Sequence, residues 1–357
     1  MADINNNLRL LSWLTLGIQP RRLVLEEVSA LDEVGRGAFL KLANAHHVVI
    51  RALKPLQAWA VEMGFAELAE WAQHSAAAEE ARIRGAVQKL ADVCGELEAA
   101  GCPITVLKSM DHWPDLGRDL DLYTSAEMRA VKEVLCGKFQ ATVLPRSWGD
   151  CLANKCSFNL PALDRTIEMH SGRLGQAGEH VELAARVERR RVTRCIEGRT
   201  YHVPAAEEQL IAATLQRMYR HLFVRICDVV NTAQLVESNS IDYQELHAAA
   251  KHAGVWTGVT TFLIIVSDYV KRYRGKELAL PQEVHGAARF GAEKFFVRGQ
   301  FLRVPLLPEA AGLYARQITG TALRGDVSAA FRLSLLPPLA SVAALAYKFT
   351  GSNKGIW

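Results

Sequence analysis

The chain predicts an α+β fold, a small mixed β-sheet core set between an N-terminal and a C-terminal α-helical region. Three observations lead there. From residue 8 to about 101 apolar residues recur at helical spacing; between 104 and 170 short apolar and alternating segments replace them; beyond Pro204 the helical period returns. The corresponding regions are 1–84, 85–203 and 204–357.

In the first region Phe39, Leu42 and Ala43, then Leu53, Leu56, Trp59, Ala60 and Met63, fall at helical spacing. Breaks are expected at 17–20, at 35–37 and at Pro55, where the proline ring should kink or restart the helix. Residues 66–100 read as one long helix with Ala86, Leu90, Val93 and Leu97 on one face and Gly101 at its end. His46, His47 and His74 have no acid or cysteine at ligand spacing, so they read as packing or surface residues.

The middle region holds the arrangement that a demanding chemistry needs. An apolar run, 104–107, delivers the chain to Lys108 and Ser109; an irregular passage with Pro114 and Gly117 follows, and Asp119 and Asp121 then alternate with Leu120 and Leu122. On a strand successive side chains point to opposite faces, so the two carboxylates project together while the leucines enter a core. Adjacent carboxylates repel unless a positive charge lies between them, and oxygen donors suit a hard divalent ion such as Mg²⁺. Residues 125–136 read as a helix capped by Ser125 and ended by Gly137, with Met128, Val131 and Leu135 on its apolar face. Strands are expected at 139–144, 156–160 and 165–170. Asp164, Thr166, Glu168 and His170 share one face of the last, which makes Glu168 a candidate third carboxylate; the plain alternative is the solvent side of an edge strand.

Composition bounds the partners. A formal net charge of +4 on 357 residues neither demands nor excludes a polyanion. The run VERRRVTR, 187–194, reads as a solvated face, with phosphate or nucleic-acid contact as its sharper alternative. Glu207 and Glu208 fit the first turn of a helix begun near Pro204, and the helical pattern then persists to the end. His221, Arg225 and Asp228 lie at offsets of zero, four and seven, which places them on one helix face, as an ion pair or as a hold on a triphosphate. YVKRYR, 269–274, basic with interleaved aromatics, reads as the end of an amphipathic helix, where cations favour the negative pole, with nucleic-acid contact as its alternative. The segment 333–345 is interrupted by Pro337 and Pro338 and falls short of the ~20 apolar residues of a membrane span; a core or interface helix fits it better, and the tail TGSNKGIW reads as mobile. Seven cysteines show no paired short spacing of a zinc site. Their odd number, with no secretory signal, implies free thiols and a cytoplasmic setting.

Residues 97–124, LEAAGCPITVLKSMDHWPDLGRDLDLYT, resemble the uncharacterised bacterial nucleotidyltransferase family of the DNA polymerase β-like superfamily, where a helix ends in a small-residue turn, a strand reaches Leu-Lys-Gly and an Asp-x-Asp strand follows. The stretch 40–53 with His46-His47 is similar to the family's N-terminal helical region, Ile167-Glu168-Met169-His170 to its Ile-Asp-Leu-His strand, and the His221, Arg225, Asp228 helix to its C-terminal signature. The likeness extends to about residue 270. It implies an enzyme that moves a nucleoside monophosphate from ATP or another nucleoside triphosphate to an acceptor and releases pyrophosphate. Asp119, Asp121 and Glu168 would then be the catalytic and metal-binding carboxylates, holding Mg²⁺ or alternatively Mn²⁺, with Glu168 as third ligand or base. Lys108, Ser109, Arg118, His221 and Arg225 would bind the nucleotide. Three features depart from the family: Ser109 stands where relatives have glycine, the loop from Ser109 to Asp119 is short and leaves Arg118 beside the first aspartate, and Glu168 is one methylene longer than the usual aspartate. The expected acceptor is a small molecule, protein or peptide. A tRNA-modifying enzyme is the runner-up, and a scaffold that keeps the fold without turnover is a third reading.

Overall fold

The apolar stripes of the first region fold into α1 (Ala2–Leu16), α2 (Arg21–Ser29), α3 (Glu33–Ala45), α4 (Val49–Glu62) and α5 (Ala66–Ala99). The computed structural model describes residues 2–17, 20–117, 119–161 and 163–350, so Arg118 and the tail beyond 350 lie outside the described residues. Two expected breaks are absent. Helix α3 runs across 35–37 because Asp32 caps its first turn, accepting from Gly35 N at 2.7 Å, and Phe39, Leu42 and Ala43 are buried. Helix α4 likewise runs through Pro55: a proline removes one backbone hydrogen bond, but Leu53, Leu56 and Trp59 are buried on the same helix and it packs along α5.

A five-stranded mixed sheet follows, built from β1 (Thr105–Val106), β2 (Asp119–Thr124), β3 (Thr142–Val143), β4 (Lys155–Asn159) and β5 (Thr166–Ser171) in the order β1-β2-β5-β4-β3. β2 and β5 are parallel, and the other pairings are antiparallel. Helix α6 spans Met128–Phe139, starting three residues after Ser125; Glu127 takes the cap position, and the helix passes Gly137 to end at Gln140, whose φ is +53°. The expected strand at 139–144 shortens accordingly to β3. Helix α7 (Trp148–Leu152) leads into β4.

The basic run is a solvated face only in part: Arg189 is exposed beside Glu182, while other members are bonded within the chain. After α8 (Val181–Arg189) it forms the hairpin β6 (Val192–Ile196) and β7 (Arg199–Val203), turning at Glu197 and Gly198, both with positive φ. Arg190 pairs with Glu207 at 2.8 Å and, together with Arg186, with the fully buried Glu208; Arg191 donates to Ile104 O and Arg194 to Met110 O. Buried carboxylates of the first turn of α9 (Ala206–Thr214) thus consume guanidinium groups that spacing assigned to water. Tyr201 donates to Val87 O and ties the hairpin to α5.

Beyond α9 the expected unbroken helical pattern fails. A π-helical turn (Leu215–His221) ends at Leu222, φ +53°, and β8 (Phe223–Val224) intervenes before α10 (Ile226–Glu237). α11 (Tyr243–His252), α12 (Trp256–Arg274) and α13 (Gln282–Ala287) follow, then β9 (Phe296–Arg298) and β10 (Phe301–Arg303), which join β8 in a three-stranded sheet, then α14 (Ala311–Leu323) and α15 (Val327–Thr350). One continuous apolar cluster from Leu8 to Leu313 links both helical regions to the main sheet, so the molecule is α+β with the sheet between helical flanks. All seven cysteines are free, and no described helix is long and apolar enough to cross a membrane.

Candidate active site

Register creates the acidic wall. In the parallel pair β2–β5, Asp121 lies opposite Glu168 and Tyr123 opposite His170, while Leu120, Leu122, Ile167 and Met169 are fully buried behind them. One oxygen of Asp121, one of Glu168 and a ring nitrogen of His170 all fall within 4.8 Å of one another. Asp119, one turn of the pleat earlier, is exposed at the mouth. The surrounding protein and then its neighbours Asp121 and Glu168 push the Asp119 pKa up.

Two lysines answer these charges. Lys108 Nζ stands 3.0 Å from Asp121 Oδ1, and Lys155 Nζ, on β4, stands 3.0 Å from both Glu168 Oε2 and Asp150 Oδ1. Burial would raise Glu168, but His170, Lys155 and Lys108 hold it well below the usual carboxylate range. Ser109 serves the backbone: its Oγ accepts from Asp121 N at 2.8 Å and lies 3.4 Å from Asp119 O, pinning the loop to β2. The rest of that loop is fixed from outside. Asp115 accepts from Ile50 N and Arg51 N at the first turn of α4, and Arg51 reaches across to Trp113 O and Asn231.

The opposite wall is basic and comes from the broken helix after α9. Arg217, Arg220, His221 and Arg225 line the same cleft as Lys108, Ser109, Asp119, Asp121 and Glu168, a space of about 1150 Å³ open to solvent. Sequence spacing put His221, Arg225 and Asp228 on one helix face. The left-handed Leu222 separates them instead, and Arg225 becomes the cap residue of α10. Asp228 turns inward, where it accepts from Arg225 N and pairs at 2.7 Å with Arg217, whose side chain is 1% exposed. Arg217 Nη1, Arg220 Nε and Arg225 Nε are buried without a hydrogen-bond partner. Phe223 and Phe301 stack at 4.2 Å beneath the guanidinium groups of Arg225 and Arg303.

The field of this wall is legible in the imidazoles near it. Burial first, then Arg225 and Arg217, hold His47 well below its usual pKa; burial and Arg220 push His221 down to about 2. His46, lowered to about 4 by burial, is structural: Nδ1 accepts from Ile226 N, and Nε2 lies 2.7 Å from Gln300 O. His47 lies at the cleft and packs on His112 at 5.2 Å, and His74 is exposed, in line with the packing or surface expectation. Neutral imidazoles beside Arg220 and Arg225 make this wall positive and suited to an anion.

No family model matches the chain, nor does any curated protein or solved structure. Of the sequence candidates, Lys108, Ser109, Asp119, Asp121, Glu168, His221 and Arg225 line one cleft. Spacing did not assign Arg217, Lys155, His47 or His112, which come from separate elements with no shared period. His170 was visible as a facemate of Glu168 and in the Ile167-Glu168-Met169-His170 match, neither of which gave it a role. The donors fit a divalent ion: two carboxylate oxygens converge on a buried imidazole whose Nε2 stands 3.2 Å from Glu168 and 3.9 Å from Asp121 without hydrogen-bond geometry.

Proposed function

We propose that the chain is a divalent-metal-dependent nucleotidyltransferase, moving a nucleoside monophosphate from a triphosphate such as ATP to a small acceptor with release of pyrophosphate. One observation carries this reading: a single cleft faces a carboxylate wall with an arginine wall, and a metal–triphosphate complex presents the two complementary charges. It agrees with the resemblance of the 97–124 segment to the bacterial nucleotidyltransferase family.

Asp121, Glu168 and His170 would hold Mg²⁺, or Mn²⁺, which tolerates an imidazole ligand more readily. A bound ion would supply charge neutralisation at the phosphoryl oxygens. Arg217, Arg220 and Arg225 offer planar donor forks to the phosphates, and Lys108 bridges the two walls by leaving Asp121 as a phosphate arrives. Asp119 stands at the mouth of the cleft. A nucleic-acid acceptor draws less support, because Arg190, Arg191 and Arg194 are bonded within the chain, and Lys271 and Arg274 pair with Glu277 and Glu237.

The scaffold reading is favoured by one feature, the two lysines that already neutralise Asp121 and Glu168 at 3.0 Å. Calorimetric titration of ATP with and without MgCl₂ or MnCl₂ separates them. Binding that needs the metal and disappears in Asp121→Asn supports transfer; metal-independent binding, or none, leaves the scaffold.

A further inference from the structure

A second cavity adjoins the cleft. Lys108, Gln216 and Arg220 line both spaces and form the partition between them, with His170 on the second cavity's side. On the far side the walls are apolar, with Leu174, Leu183, Leu215, Leu333 and Leu336 around about 870 Å³ of space counted out to its mouth. Helices α14 and α15 close it, Tyr314 donating to Leu333 O to join them. Six buried polar atoms on its described lining residues have no hydrogen-bond partner: Asp111 Oδ1, both ring nitrogens of His170, Gln176 Nε2, Arg220 Nε and Gln317 Oε1. Such atoms are rare in folded proteins unless a ligand or water meets them. Glu179 is already committed to Gln176 N and Ala177 N, and the cations of the lining, Lys108 and Arg220, stand at the partition, which leaves the leucine-walled side apolar.

We propose that this cavity binds the acceptor, a small uncharged molecule with an apolar body, polar groups at its ends and a hydroxyl that reaches past His170 and Lys108 into the cleft. The term acceptor rests on the nucleotidyltransferase reading; a small-molecule site stands without it. In the transfer the hydroxyl oxygen bonds to the α-phosphorus as the bond from that phosphorus to the bridging oxygen breaks. Pyrophosphate takes the electron pair, and the hydroxyl proton passes to a cleft carboxylate. A polymer is excluded by the closure of α14 and α15 over the apolar end.

The probe is 4-phenylbutan-1-ol, with myo-inositol as a polar comparison, titrated into the full chain without nucleotide. Phenylbutanol should bind and slow amide exchange in α14, and inositol should not. Ala212→Met, which fills the cavity from α9 with a good helix former, should weaken phenylbutanol at least tenfold while Mg·ATP binding stays at the native level. Failure of phenylbutanol to bind or to protect α14 overturns the proposal, as does inositol binding equally well. Unchanged phenylbutanol affinity in a folded Ala212→Met protein overturns it too. Phenylbutanol binding in a protein that never binds ATP overturns the acceptor role and the transferase reading together, leaving a small-molecule site.

Discussion

The two walls of the cleft are made in opposite ways. The acidic wall stands on two adjacent parallel strands, where a period of two sets Asp119, Asp121, Glu168 and His170 facing one way and buries their neighbours. The basic wall stands where a helix fails: a π turn and a left-handed Leu222 throw Arg217, Arg220, His221 and Arg225 into the cleft from a backbone with no single period. Regular structure thus places the cation donors cheaply, so their loss should cost chemistry and little stability. An irregular segment has to be held by the same groups that bind, and there function and folding should fall together.

Asp121→Asn offers the sharpest test of that contrast. It should lower pyrophosphate release by at least ~10³-fold, about 4 kcal/mol of transition-state stabilisation, with a melting temperature close to the native one. A large loss of stability would show that the acidic wall is structural after all. Arg217→Ala should do the reverse: it leaves Asp228 buried without its ion partner and should cost about 3 kcal/mol or more in urea unfolding, along with triphosphate affinity. Full stability with lost affinity would break the claim that the irregular wall is held by its binding groups.

The third test uses pH. His46 joins α3, α10 and the β9–β10 turn with a pKa lowered to about 4, so the folded state refuses a proton that the unfolded chain accepts below about 6.5. Its stabilisation is complete above that value and declines as pH falls toward 4. Asp111 and Asp115, both raised to about 7 chiefly by burial, act the other way, their contribution declining as pH rises from 4 to 7. The stability difference between the native protein and His46→Gln should therefore shrink by on the order of 2 kcal/mol between pH 7 and pH 5. A pH-independent difference would place no titrating burden on His46. The smallest effect is expected from Ser109→Ala, about 1 kcal/mol in unfolding, since one hydrogen bond from Asp121 N is lost without breaking the strand.

Legibility followed the same division. Long helices and the β2 and β5 strands were readable because local period and burial agree there; α5 was expected at 66–100 and spans Ala66–Ala99. Capping and packing overrode the sequence punctuation at 35–37 and at Pro55, and α6 slid past both Ser125 and Gly137. The run 187–194 looked solvated because its partners, Glu207, Glu208 and the carbonyls of Ile104 and Met110, are far away in sequence or on another element.

By itself the sequence determined that Asp119, Asp121, Glu168 and His170 would share strand faces, because side-chain direction on a strand is set by the backbone. It could not set the parallel register that puts Asp121 opposite Glu168, which depends on pairing across 47 residues of chain. Nor could it break the helix at Leu222, bury Arg217 against Asp228, or set the apolar cavity against the cleft. Those follow from long-range packing, in which no residue's partner lies within reach of a local period.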